Sequence, residues 1–253
     1  MRGIILAGGL GTRLRPLTLV ANKHALPVYD QPMAFHIVGY LREAGVTNIM
    51  IVTGREHCGD LIGLLGSGKD LGVELTFRVQ EDADGIAGAL RLCQDFAQDE
   101  PVVVVLGDNL LENGIKPLVD SYRAKQEALA CPENGHMIGA QIAVVKVSDP
   151  SRFGVASLDK DGKVAKIQEK PSKPETNLAV IGVYIYDAYV WQILPRLRPS
   201  GRGEYEITDV NNEYVTVGKM YCETVEGWWH DAGTIESMYD ATVLMRELKK
   251  GEK

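Results

Sequence analysis

An unbroken apolar run, Gly3-Ile4-Ile5-Leu6-Ala7, leads directly into Gly8-Gly9-Leu10-Gly11-Thr12-Arg13, and no other junction in the chain limits its possible folds as strongly. Five apolar residues are too few for a globular helix. Without polar alternation they point to a strand covered on both faces, as in the parallel sheets of α/β proteins. The glycines that follow permit a sharp turn and bring backbone N–H groups up to an anion. Thr12 adds a hydroxyl donor, and Arg13, Arg15 and Lys23 add positive charge that a run of phosphates requires. A glycine turn after a strand can also serve backbone packing alone. The spacing matches neither the GxxxxGK[ST] loop nor the GxGxxG dinucleotide fingerprint, and the cationic flank suits a polyphosphate better than a nicotinamide cofactor.

Downstream, strands alternate with helices to about residue 130, the pattern of a three-layer α/β core. A helix is expected over Met33–Ala44, with Pro32 in its first turn and Gly45 at its end. Strands are expected over Asn48–Thr53, Leu75–Val79 and Pro101–Leu106, with helices over His57–Leu65 and Ile86–Phe96. The last of these strands runs into Gly107-Asp108-Asn109. Ligands of open α/β sheets collect beyond the carboxyl ends of strands, so the Gly8 loop and Asp108 both fall where a site is expected.

The second half reads as a helix over Leu118–Leu129, a polar interruption at Ala130–Gly139 read as an exposed loop, and a strand over Ile138–Val147. A bend or hairpin follows between Val155–Leu158 and Val164–Gln168, then a strand over Ala179–Tyr186 and a helix over Tyr189–Leu197. Glu206–Val217 contains a helix, Met220–Val225 is extended, and Ile235–Lys250 is an amphipathic helix. No repeat or long linker interrupts the chain, so residues 1–253 are expected to share one core.

The net charge of −7 disfavours nucleic acid as a partner and leaves anion binding to local cations. Four cysteines without metal-ligand spacing read as free thiols of a reducing compartment, and the five histidines form no zinc pattern. With no signal peptide or apolar span of membrane length, a cytoplasmic protein with no membrane partner is expected.

An ordered series of motifs then carries a resemblance. Gly8-Gly9-Leu10-Gly11-Thr12-Arg13 with Lys23, Leu26 and Pro27 is followed by Gln80 and Gly85, Gly107-Asp108-Asn109, Arg152-Phe153-Gly154-Val155 and Glu169-Lys170-Pro171. Gly203-Glu204, Glu206-Ile207-Thr208-Asp209 and Trp229-His230-Asp231-Ala232-Gly233-Thr234 complete it. Across nearly its whole length the chain resembles the bacterial sugar-1-phosphate nucleotidylyltransferases, above all the glucose-1-phosphate thymidylyltransferases.

The resemblance implies the Rossmann-like nucleotide-diphospho-sugar transferase fold, with a predominantly parallel mixed central sheet. It implies a nucleotide-binding portion over roughly residues 1–130 and a sugar-binding portion over 131–253. The partners implied are dTTP and glucose 1-phosphate, the cofactor Mg2+, and the assembly a homodimer or homotetramer. Arg13, Lys23, Asp108, Lys170 and Asp231 are the catalytic candidates. Leu6, Gly8, Gly9, Gly11, Thr12, Arg13, Lys23, Gln80, Gly85 and Asp108 resemble nucleotide-binding positions, and Asn109, Gly154, Glu169, Lys170 and Val180 resemble sugar-phosphate-binding ones. Asp108 and Asp231 resemble the metal-binding aspartates.

Read as residues alone, these positions have simpler roles open to them. Asp108 can close a strand-end turn and Asp231 can cap a helix, and the 123 positions between them give no reason to pair them. Gln80 can be an exposed strand end, and Glu169 with Lys170 a solvated charge pair. Phe153 stands where relatives often have tyrosine, keeping a ring and losing a hydroxyl. The chain stops soon after the helix near Lys250, where longer relatives continue into an effector site, so a feedback site of that design is expected to be incomplete. Competing readings are a uridylyl- or other nucleotidylyltransferase on a related sugar 1-phosphate, and a nucleotide-sugar-binding regulator without chemistry.

Overall fold

The computed structural model describes residues 1–129 and 139–251, so the expected loop at Ala130–Gly139 lies outside the described residues but for Gly139. The fold is three-layer, Rossmann-like α/β with a mixed central sheet, as expected. Two compact units are each assembled from separated stretches. One comprises Met1, Asp84–Val104 and Pro117–Glu226; the other comprises Arg2–Ala83, Val105–Lys116 and Gly227–Lys253.

The glycine-loop unit is built on parallel strands. Arg2–Ala7 pairs with Asn48–Gly54, Gly3 opposite Ile49 and Ala7 opposite Thr53, and Asn48–Gly54 pairs in turn with Glu74–Gln80. Ile4, Ile5, Ile49 and Ile51 are at most 2% exposed, so these strands are covered on both faces as their unbroken apolar runs require. Each such side chain contributes roughly 1.5–3 kcal/mol on burial. The helix Met33–Glu43 adds Ile37, Val38 and Leu41 to this core. It ends where the sequence puts Gly45, whose φ of 71° lets the Val46 N–H reach back to the Leu41 carbonyl at 2.8 Å.

Several short strands of this unit have no counterpart in the sequence expectations, among them the pair Pro27–Val28 and Gln31–Pro32. Asn109–Leu111 and Trp229–Asp231 form an antiparallel ribbon with Asn109 opposite Asp231 and Leu111 opposite Trp229. Three residues are too few for a period-two pattern to register.

In the other unit, Leu178–Tyr186 runs antiparallel to Ala140–Lys146, and Met220–Thr224 runs parallel to the latter. The expected hairpin is present as Gly154–Leu158 with Val164–Glu169, and Val180 pairs with Gly154. Buried Ile142, Val144, Ile181, Val183, Tyr122 and Tyr214 form the core. Asp187 is 5% exposed and fully employed, accepting from the Tyr214 hydroxyl and from the Gly139 N–H, both at 2.8 Å.

Two expected helices are shorter than their patterns. Ile86–Phe96 divides into Ile86–Arg91 and Gln94–Ala97, and Tyr189–Leu197 becomes Val190–Ile193 followed by a 3-10 turn at Leu194–Arg196. Pro195 lacks the N–H that an α-helix would use there. The Arg91 guanidinium caps the second interruption, donating to the Leu194 carbonyl through Nε at 3.0 Å and Nη2 at 2.5 Å. Among the described residues no helix is long and apolar enough to cross a membrane.

Candidate active site

The glycine loop leaves its strand at Ala7, with Gly9 and Gly11 at φ of 88° and 57°, a conformation that costs glycine little. Thr18 is buried and pins the loop by donating its hydroxyl to the Gly11 carbonyl at 2.8 Å. Thr12 and Arg13 remain exposed, so loop donors and a guanidinium face solvent. Gln80 reaches the same loop, since a Cβ on Gly8 would lie 3.1 Å from its Oε1. Leu6 is buried, and its carbonyl accepts the Gly107 N–H at 2.9 Å, joining the glycine-loop strand to the Asp108 turn.

Lys23, 85 positions from Asp108, meets it through Nζ and Oδ2 at 2.5 Å, with both side chains under 15% exposed. Burial alone would raise the Asp108 carboxyl. The Lys23 charge and the hydrogen bonds from Lys23 and Asn109 outweigh it and hold the group well below the usual carboxylate range. The ribbon delivers Asp231 to the same place, and the Ala232 N–H donates to the Asp108 carbonyl at 2.9 Å. Burial and the Asp108 charge raise the Asp231 carboxyl, against the pull of Lys23, Arg13 and the Gly233 N–H. The Arg13 guanidinium lies over Gly233, where a Cβ would stand 2.8 Å from Nη2.

Asn109, expected toward a sugar, is 3% exposed with its amide engaged. It donates to Asp108 Oδ1 at 3.0 Å, and its Oδ1 accepts the Trp229 indole N–H at 2.8 Å. Trp229 therefore orients the group that orients Asp108, a role the sequence pattern did not carry.

Two convergent carboxylates form a donor set suited to a hard divalent ion. Among the described residues no group of three or more His, Cys, Asp or Glu converges on a possible metal position. An ion held here would complete its shell with phosphate oxygens and water, the habit of Mg2+. Its charge would also relieve the repulsion that raises Asp231. A raised carboxyl pKa means the ionised Asp231 opposes folding at neutral pH, and this opposition fades as pH falls through its folded pKa. Asp231→Asn is therefore expected to raise the cation-free Tm at pH 7, with the gain shrinking on acidification. Millimolar Mg2+ should stabilise the unaltered chain more than the variant; differential scanning fluorimetry reads both effects.

In the other unit, register brings the sugar-side candidates together. Gly154 pairs with Glu169 on one side and Val180 on the other. A Cβ on Gly154 would contact Glu169 Oε2 at 3.6 Å and Val180 Cβ at 3.7 Å, so its absence leaves a small cradle. Thr208, not singled out as a sugar ligand, donates to Glu169 Oε2 at 2.6 Å. Arg202 Nη2 stands 3.4 Å from Glu169 Oε1 and 2.9 Å from Glu206 Oε1. Lys170 has the left-handed φ of 40°, with its N–H on the Phe153 carbonyl at 3.0 Å and Nζ 3.6 Å from Glu169 Oε1. A non-glycine residue held in that conformation is strained, a condition that collects at functional sites.

Gly85 belongs to this unit and faces the Tyr205 backbone. Its φ of 99° and ψ of 174° are open essentially to glycine alone, and a Cβ would stand 2.6 Å from the Tyr205 carbonyl oxygen. Gly85→Ala is expected to destabilise by about 2–5 kcal/mol, combining backbone strain with overpacking. Urea unfolding midpoints check this.

Comparisons with known proteins identify the family. A family model described as nucleotidyl transferase matches residues 2–247. A glucose-1-phosphate thymidylyltransferase of Mycolicibacterium smegmatis is 38% identical over 257 residues, covering 100% of this chain and 85% of the relative. The low-salt glycan biosynthesis nucleotidyltransferase Agl11 of Haloferax volcanii is 39% identical over 254 residues, covering 100% and 68%. Among solved structures, a candidate glucose-1-phosphate thymidylyltransferase from Bacillus anthracis, crystallised with sucrose, superposes with a TM-score of 0.89 at 45% identity, covering 98% of this chain and 96% of that one. A UDP-glucose pyrophosphorylase complexed with UDP-glucose shares the fold at a TM-score of 0.82 and 23% identity, covering 97% and 98%. With a family match running from the first strand into the last helix, and a glycine loop that meets a lysine and two aspartates, the chain belongs to the nucleotidyl transferase family.

Proposed function

We propose that the chain transfers a thymidylyl group from dTTP to α-D-glucose 1-phosphate, forming dTDP-glucose and pyrophosphate. The observation that carries this reading is the convergence of Lys23, Asp108 and Asp231 beside an open, arginine-bearing glycine loop. The names of the relatives supply the base and the sugar.

In this reading the loop N–H groups, Thr12 and Arg13 hold the triphosphate, and Lys23 neutralises charge that gathers on the departing pyrophosphate. Gln80 presents an amide donor and acceptor to the pyrimidine edge. Glu169, oriented by Thr208, accepts hydroxyls of the sugar above the Gly154 cradle, and Lys170 meets its phosphate. The sugar phosphate oxygen attacks the α-phosphorus in line. The new P–O bond forms as the bond to the bridging oxygen breaks, and that oxygen leaves with the electron pair on pyrophosphate. No amino-acid nucleophile is required, because the phosphate monoester is already anionic. Asp108 and Asp231 would hold Mg2+, which when bound supplies charge neutralisation at the phosphates.

A matrix of single nucleoside triphosphates against single sugar 1-phosphates, with Mg2+ and a pyrophosphate readout, tests the reading. The highest kcat/KM is expected for dTTP with glucose 1-phosphate. Preference for UTP would overturn the base assignment, and absence of pyrophosphate from every pair would overturn the enzyme assignment in favour of a binding protein.

A further inference from the structure

Lys23 lies in a 3-10 turn of only three residues, Lys23–Ala25, preceded by a segment in which Leu17, Leu19 and Val20 are exposed, Val20 by 81%. So short a turn does not hold its own geometry. The turn sets where the four-carbon side chain of Lys23 starts, and the ammonium at its far end meets Asp108 Oδ2 at 2.5 Å.

Two anchors set that backbone, and both pass through Asn22. The Asn22 side chain caps the turn, its Oδ1 accepting the His24 N–H and meeting His24 Nδ1, each at 2.9 Å. Since the backbone donor fixes which end of the amide is oxygen, Nδ1 carries the proton and Nε2 is the bare nitrogen. The His24 ring, 1% exposed, then lies against Gly107, where a Cβ would stand 2.8 Å from Nε2. Burial and the Lys23 charge push the imidazole down to about 3, so it serves as a neutral spacer between Asn22 and the residue before Asp108. On the other side, the Asn22 N–H is accepted by Asp60 Oδ2 at 2.8 Å, which ties the turn to the helix Cys58–Leu65. The same oxygen lies 3.3 Å from His57 Nδ1. Asn22 Nδ2 points at Thr53 Oγ1, 3.5 Å away on the neighbouring strand.

We propose that Asp60 is a positioning residue for the reaction: acting through the Asn22 N–H, it fixes the turn that aims Lys23 at the triphosphate and at Asp108. Asp60 itself touches no reacting atom. This rests on the assignment of Lys23 to the triphosphate. Asp60 stands apart because its carboxylate oxygen accepts from the backbone of the residue preceding Lys23.

The test compares Asp60→Ala and Asp60→Asn, the latter retaining a side-chain oxygen acceptor, by KM for each substrate, kcat and Tm. Asp60 is more than a third exposed, so both variants are expected to fold. Asp60→Ala should raise the KM for dTTP about 3- to 10-fold and lower kcat/KM for dTTP about 10- to 100-fold, the scale of a small misplacement at a reacting group. The KM for glucose 1-phosphate should stay within about twofold, and Asp60→Asn should recover most of the loss. Three results overturn the inference: a lower Tm or active fraction with both KM values unchanged, an equal rise in both KM values, or no recovery in Asp60→Asn. Failure of the underlying reading looks different. If the unaltered chain uses another triphosphate, the dTTP assignment falls and the comparison is made with that nucleotide; if it turns over no pair, both fall.

Discussion

Asp108→Asn is expected to lower turnover by roughly 100-fold or more while leaving the protein folded, and to raise the Mg2+ concentration needed for half-maximal rate. The substitution keeps the shape of a buried side chain and removes its charge. In the unaltered chain that charge is bound to Lys23 at 2.5 Å and held ionised by it. The asparagine can still receive one hydrogen bond from Lys23. It cannot supply the anionic oxygen that a hard cation selects, and it leaves Asp231 without its partner carboxylate. Pyrophosphate release across a Mg2+ titration measures both changes. Turnover like that of the unaltered chain would remove Asp108 from any part in metal or phosphate handling.

Lys23→Met is expected to cost stability as well as activity. Methionine retains the length and loses the cation, so a carboxylate that is 8% exposed keeps its charge with Asp231 as its neighbour. Breaking a buried pair from one side costs about 3–5 kcal/mol. In a chain of this size that lowers Tm by roughly 6–20 °C. The pH dependence follows from the direction of the Asp108 shift. A depressed folded pKa contributes stability that is present above the ordinary value of about 3.9 and is lost as pH falls through the folded pKa. The Tm gap between the two proteins should be full at pH 7 and narrow through the acid range. Mg2+ should restore part of the loss at pH 7, because a divalent ion can replace the missing charge. A gap independent of pH would show that the loss comes from packing and not from the ion pair.

Both predictions concern a cluster that was only partly legible in the sequence. The Gly8 loop was readable because an apolar run ending in glycines, a hydroxyl and cations leaves few alternatives, and Asp108 was readable because it ends the strong apolar strand Val102–Leu106. Asp231 owed its candidacy to motif order alone. What joins it to Asp108 is a ribbon of two three-residue strands, and neither is long enough to show a period. Asn109 and Thr208 illustrate the same limit from the side-chain end. The amide of Asn109 is committed to its neighbour Asp108 and to Trp229, 120 positions away, and the hydroxyl of Thr208 to Glu169, 39 positions away.

The helices divide in the same way. Met33–Glu43 closely follows its amphipathic pattern because a local signal, Gly45, ends it. Ile86–Arg91 and Gln94–Ala97 were read as one helix because nothing local announces the break. Arg91 donates to carbonyl groups roughly a hundred positions downstream, a partnership no local pattern carries.

By itself, then, the amino-acid sequence determined the strand-and-helix order, the glycine turn and the residue types that face phosphate, since these follow from apolar periodicity and backbone freedom within a few residues. Only the tertiary structure decided that Lys23 meets Asp108, that Asp231 stands beside them, and that Asp60 and Asn22 fix the turn between loop and site. Those relations depend on side-chain distances of a few ångströms between segments tens to more than a hundred residues apart, and such distances are set by packing and strand register.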